Sequence, residues 1–288
     1  MTTSGAIKKS INQYGADICG VAPVSRFANA PKGFHPCDIY PDCRSVVVFA
    51  SHFPVSTLQA RTNSPYTLVR NKMVEKVDWI SFNVSGELET EGVGSIPIPS
   101  ADPYDYWDAD RTHGRGIMSL KHAGALAGLG VLGKNTLLMN ERFGNMMWLG
   151  GVLLSIDLEP DPVASYKGCD SECTLCIDSC PQHALDGITI DQKLCRDLSI
   201  STTMAVVGFF RATSVGRSAP IIVVFHQTTA KRNQPSLSRR PSFVHPPTCP
   251  FRVQVLHRTR LGLIRGVGAR ANTVFAVAYT ALQPLHPD

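Results

Sequence analysis

The sequence predicts an α/β chain of the α+β type with a short metal-binding module behind its first domain. Three observations carry this. Helix-period and strand-period signals alternate over residues 1–158. Four cysteines then fall within thirteen residues, as Cys169-x3-Cys173-x2-Cys176-x3-Cys180-Pro181. Composition finally breaks near Thr203, where a mixed-charge chain turns basic. The expected units are a cofactor-binding-type domain at 1–158, an iron–sulfur module at 159–203 and a tail at 204–288.

In the first unit, Ile7–Tyr14 reads as a short helix. Asp17–Val24 and Ser45–Ser51 read as strands, the second holding the apolar run Val46-Val47-Val48-Phe49. Residues 66–91 predict the longest helix, because Val69, Met73, Val77, Ile80, Val84 and Leu88 recur at steps of four and three on one face. Ser95–Pro99 is a short extended piece. Ser119–Leu129 is an Ala-rich helix, with Gly130 expected as its C′ residue. Trp148–Leu158 reads as a last buried strand, and Glu159–Gly168 as a Pro- and Asp-bearing linker. Asp191–Ile200 predicts a helix carrying Cys195.

Four thiolates this closely spaced, closed by Pro, match the way bacterial ferredoxins wrap a cubane 4Fe-4S cluster, with the fourth Cys reaching a second cluster. The first gap is one residue longer than usual. Zinc ribbons pair two Cys-x2-Cys knuckles across a longer gap and do not end in x3-Cys-Pro. Cys169, Cys173 and Cys176 are therefore expected on one cluster, and Cys180 and Cys195 on part of another. After Cys195 the next cysteine is Cys249, so the second ligand set is incomplete.

Several other residues offer candidate chemistry. Cys37 and Cys43 lack a partner motif and read as free thiols. An acidic, aromatic stretch around Tyr104 and Trp107 offers Asp105 and Tyr106 as candidate catalytic proton donors in a reductive step. Gly128, Gly130 and Gly133 match G-x-G-x-x-G, and Gly133-Lys134 mimics a P-loop end. Both nucleotide readings fail on context, since these glycines follow a helix and Asn135 stands where Ser or Thr would bind magnesium. The remaining readings are a helix cap with a turn, or a loop whose bare backbone approaches a flat cofactor.

Ser119-Leu120-Lys121-His122-Ala123, then Ala127-Gly128-Leu129-Gly130-Val131-Leu132-Gly133-Lys134-Asn135-Thr136-Leu137-Leu138, then Gly144 and the cysteine cassette, resemble the epoxyqueuosine reductase-like proteins, which in turn resemble cobalamin-dependent reductive dehalogenases. The resemblance spans roughly residues 10–200. It implies a nitroreductase-like, corrinoid-binding-type domain fused to a ferredoxin-like 4Fe-4S module. It also implies cofactor contacts from Ser119, His122, Gly128, Gly130, Gly133, Lys134 and Asn135. Electrons would come from a donor such as ferredoxin or flavodoxin, and the substrate would be a small molecule or a tRNA. The Arg-Gly-x-Asp-Tyr-His-type segment of epoxyqueuosine reductase has no counterpart here, so the expectation is a short paralogue whose substrate is unassigned.

Residues 1–203 hold 17 basic and 22 acidic residues, and residues 204–288 hold 11 basic residues and the single acid Asp288. The resemblance also predicts a second Cys-x2-Cys-x3-Cys-Pro roughly fifteen to twenty-five residues after Cys195. Reading each codon's third base with the next codon's first two, Arg211/Ala212, Ser214/Val215 and Ser218/Ala219 permit Cys at that spacing, and Ala219/Pro220 permits Pro. The tail therefore reads as out-of-frame translation beginning near Thr203. The rival reading is an Arg-rich tail that binds RNA through phosphates. Two further expectations concern location. No run of about 18 apolar residues predicts a membrane span. The N-terminus lacks the apolar stretch of a signal peptide, which with a metal-type cysteine layout predicts a cytoplasmic protein.

Overall fold

The computed structural model describes residues 3–61, 64–110, 113–199, 222–226 and 251–255. Helices and strands are mixed, and the main sheet has four strands, all antiparallel. Helix α1 (Ser4–Gln13) is capped by Thr3, whose hydroxyl accepts from the Ala6 N–H. Strand β1 (Ile18–Pro23) follows, then the short α2 (Pro36–Ile39) and β2 (Ser45–His52). The long α3 (Ser64–Thr90) leads into β3 (Ser95–Ile98). A hairpin of β4 (Tyr106–Asp108) and β5 (His113–Arg115) precedes α4 (Leu120–Leu126). Next come a second hairpin, β6 (Val131–Leu132) and β7 (Leu138–Met139), and the last sheet strand β8 (Met147–Leu154). The order across the sheet is β1-β2-β8-β3.

Alternation along β2 divides the core. Val47 and Phe49 pack with α1 and α3, where Ile11, Val77, Ile80 and Val84 are buried. Val46, Val48 and Ala50 face the other way, onto Leu120, Ala123 and Ala127 of the α4 segment. Both faces of the sheet are thus covered, which explains why β8 and the Val46–Ala50 run of β2 are apolar without alternation. Two glycines of β8 let the layers approach closely. A Cβ at Gly150 would lie 2.5 Å from Phe49, and one at Gly151 would lie 2.9 Å from Leu120.

One helix end differs from the sequence expectation. Helix α4 stops at Leu126, and the left-handed residue is Gly128 (φ +80°), not Gly130. The Leu129 N–H reaches the Gly124 carbonyl and the Gly128 N–H reaches the Ala125 carbonyl, a complete Schellman cap. Both glycines were plausible stops by residue type; backbone geometry selected the first.

Residues 159–168 form a strap tied to the first unit rather than a loose connector. Asp161 pairs with Lys8 and accepts the Val21 N–H at 2.8 Å. Arg26 donates to the carbonyls of Leu126 and Asp161, both at 2.7 Å. Beyond it, α5 (Leu175–Asp178) lies inside the cysteine cassette, and α6 (Gln192–Ser199) carries Cys195. In the tail, β9 (Ile222–His226) and β10 (Phe251–Val255) pair antiparallel, Ile222 opposite Val255. The shifted-frame reading at Arg211–Pro220 falls outside the described residues, as does most of the stretch behind the RNA-binding reading. No helix among the described residues is long and apolar enough to cross a membrane.

Candidate functional site

A cavity of about 530 Å³ opens between the α4–β7 segment and the cysteine module. Its inner wall holds Lys121, His122 and Thr136; its outer wall holds Cys169 and the stretch Gly187–Ile190. The geometry follows from the short β6–β7 hairpin. Gly133 and Leu137 close it, with the Gly133 N–H on the Leu137 carbonyl at 2.9 Å. Thr136 sits in the left-handed region (φ +62°), a strained place for a β-branched residue. Lys121 holds it there, donating from Nζ to the Thr136 carbonyl at 2.9 Å.

The sequence-predicted cofactor residues divide. His122, Gly133 and Lys134 line the cavity. Ser119 supports from behind, its Oγ 2.7 Å from His122 Nδ1. Asn135 is occupied locally, its side-chain oxygen accepting the Leu137 N–H. Gly128 and Gly130 face chain instead of cavity. A Cβ on Gly128 would lie 2.1 Å from the Pro162 carbonyl oxygen, and one on Gly130 would lie 2.2 Å from that of Met139. Close backbone packing accounts for both glycines. Besides lining the cavity, Lys134 donates from its ammonium to the carbonyls of Ser171 and Cys173, clamping the cassette loop.

Within the cassette, Cys176 and Cys180 are buried, while Cys169, Cys173 and Cys195 are half-buried. Two sulfurs accept backbone bonds, from the Lys134 N–H to Cys169 at 3.4 Å and from the Ala184 N–H to Cys180 at 3.3 Å. Burial pushes the Cys176 thiol up to about 11, and the neighbouring Cys169 and Cys173 push the same way. Three thiols that repel one another as thiolates, with backbone donors aimed at cassette sulfurs, suit a cationic iron core that displaces their protons. Among the described residues no group of three or more His, Cys, Asp or Glu side chains is placed to hold one metal ion. A cubane presents four separate iron corners, so its ligands need not meet at a point.

Asp105 and Tyr106 stand apart from the cavity-lining residues, and Arg115 stacks over the Tyr106 ring at 4.6 Å. The hairpin they belong to nevertheless reaches the cavity through His113 on its other strand. It also docks α6. Gln192 exchanges two 3.1 Å hydrogen bonds with the backbone of Gly114, and Arg196 lies over Trp107 at 4.7 Å. Cys37 and Cys43 are occupied in local turns, their thiols directed at the Cys43 and Ser45 carbonyls.

Lys121 and Thr136 are among the cavity residues that the sequence reading gives no role. Lys121 is 5% exposed. The available signal was a lysine beside His122 in an α4 otherwise made of Leu, Ala and Gly. Burial draws its pKa down to about 8. Burial, and then the Lys121 charge, draws His122 down to about 4, which keeps its imidazole neutral near pH 7.

Comparison with known proteins fits this arrangement. A 63-residue stretch is 48% identical to epoxyqueuosine reductase of Lactococcus garvieae (strain Lg2), covering 22% of this chain and 17% of the relative. The chain is similar to the epoxyqueuosine reductases. A second epoxyqueuosine reductase, from Staphylococcus aureus (strain NCTC 8325 / PS 47), is 40% identical over 73 residues, 25% of this chain and 18% of that one. The matches thus span less than a fifth of the length of these two epoxyqueuosine reductases. No protein-family model matches the chain. In fold it is similar to a catabolic reductive dehalogenase solved with 3-bromo-4-hydroxybenzoic acid, with a TM-score of 0.53 at 16% identity over 68% of this chain and 29% of that one.

Proposed function

We propose that this protein is an iron–sulfur reductase in which a 4Fe-4S cluster on the 169–180 cassette delivers electrons to a redox group held in the adjoining cavity. One observation carries the reading. Cys169 is both a cassette thiol and part of the cavity wall, with the Lys134 N–H on its sulfur. An electron leaving a cluster held there has a short path to anything bound against Gly133 and His122. The similarity to epoxyqueuosine reductases supports the redox class.

In this reading Cys169, Cys173 and Cys176 hold the first cluster, and Cys180 and Cys195 belong to a second that the in-frame chain does not complete. The redox group is of the corrinoid type, which when bound would supply two-electron reduction of a small molecule or a modified base. A corrinoid with its nucleotide tail exceeds the cavity, so the residues present suit one edge of it. Gly133 lines that edge with backbone, although a Cβ there would meet Asn135 Oδ1 at 2.6 Å and Met139 Sδ at 2.8 Å, and neutral His122 gives the edge a polar atom that carries no charge. Lys134 fixes the cassette loop so that Cys169 stays against the wall. Ferredoxin or flavodoxin would supply the electrons.

The test is equilibrium dialysis of anaerobically reconstituted protein against hydroxocobalamin, alongside iron and sulfide analysis. One corrinoid per chain, with acid-labile sulfide present, is the expected result. Protein that holds iron and sulfide but no corrinoid would remove the second half of the proposal and leave an electron-transfer protein without its own substrate.

A further inference from the structure

The wall of the cavity is one-sided in charge. Two lysines and two histidines line it, and no carboxylate does. Lys121 is the deepest cation, and burial is the cause of its lowered pKa. An ammonium carries three donors. One goes to the Thr136 carbonyl, and among the described residues the other two meet no carboxylate. A buried cation without a counter-charge is costly unless something else in the site balances it. At a pKa of about 8 it is still largely charged at neutral pH. The rim above it is apolar, formed by Val131, Leu132, Ile188 and Ile190, with Leu132 and Ile188 well exposed.

We propose that the cavity takes a ligand with an apolar body and one oxyanion, carboxylate or phosphate, the oxyanion seated on Lys121 and the body on the Val131, Leu132, Ile188 and Ile190 rim. This ligand is an alternative occupant to the corrinoid edge in the cavity of the proposed reductase; it rests on that reading for its biological meaning, but its chemistry stands without a cluster. A lysine suits this task as a compact point charge with rotatable donors. The competing account is purely architectural, with Lys121 serving only to hold the left-handed Thr136.

Calorimetric titration of the full-length, anaerobically prepared protein with benzoate and with neutral benzamide separates the two. Benzoate should bind at least about tenfold more tightly than benzamide, the size expected of one charge-assisted contact. Lys121→Gln should erase that preference, and Lys121→Arg should keep most of it. Competition by inorganic phosphate would assign the subsite to phosphate-bearing ligands, and its failure to compete would assign it to carboxylates. Equal binding of benzoate and benzamide by the wild-type protein overturns the proposal, whatever the variants do. So does binding of neither benzoate nor inorganic phosphate. Iron analysis of the same samples keeps the two readings apart. Iron-free protein that discriminates loses the reductase reading and keeps this one, and iron-replete protein that does not discriminate does the reverse.

Discussion

The backbone N–H of Lys134 lies 3.4 Å from the sulfur of Cys169. That bond joins the glycine-bearing hairpin to the cysteine cassette. The same lysine's ammonium reaches the carbonyls of Ser171 and Cys173. One residue therefore sets how the cassette sits against the cavity.

Replacing Lys134 by Met should loosen the cassette without unfolding the sheet. It removes two charge-assisted hydrogen bonds in a partly exposed place, worth about 1–2 kcal/mol together after solvent competition. Cluster absorbance in air should decay several-fold faster than in wild type. An unchanged decay rate would show that the clamp does not matter for cluster retention.

Cys176→Ser should abolish the brown colour of the anaerobic protein. Cys176 is buried among the cassette thiols, so no other residue can slide in to replace it. Wild-type protein should carry fewer than two complete cubanes per chain, because after Cys195 the sequence offers only the distant Cys249. Iron and sulfide analysis giving two full cubanes would contradict this ligand count.

His122 should make the protein acid-sensitive. Its folded pKa of about 4 lies below the ordinary 6.5, so the unfolded chain takes up the proton first. Stability should fall as pH drops from 6.5 towards 4, with the loss complete below the folded value, and by at most about 3 kcal/mol. His122→Gln should flatten that limb in urea titrations across the window. Parallel pH profiles for the two proteins would argue against a buried neutral imidazole.

Gln192→Leu should undock α6 from the β4–β5 hairpin. It leaves both backbone groups of Gly114 without the partners they have at 3.1 Å. Each stranded buried group costs about 1–3 kcal/mol. Amide exchange at Gly114 should quicken by more than tenfold, while exchange in β2 stays protected. Equal protection at Gly114 in both proteins would mean water replaces the glutamine.

The main elements were legible because each has a strong local cause. The stripe from Met73 to Leu88 packs onto the sheet as its spacing requires, and Val46–Phe49 fills both faces. The helix end at Gly128 was not legible. Gly128 and Gly130 are equivalent by residue type, and the choice depended on Pro162 passing over one and Met139 over the other. The Pro162 contact joins positions far apart in the chain, and no local pattern encodes it.

The cavity shows the same division. The cysteine spacing and the resemblance at Ser119–Leu138 are properties of the chain itself, and from them the sequence determined the kind of chemistry to look for. Only the tertiary structure made Lys134 a clamp on the cassette as well as part of the cavity wall, and brought Lys121 to the bottom of the cavity. The reason is physical. A lysine's role depends on what lies within reach of its ammonium, and for both residues that is a backbone carbonyl supplied by another stretch of chain.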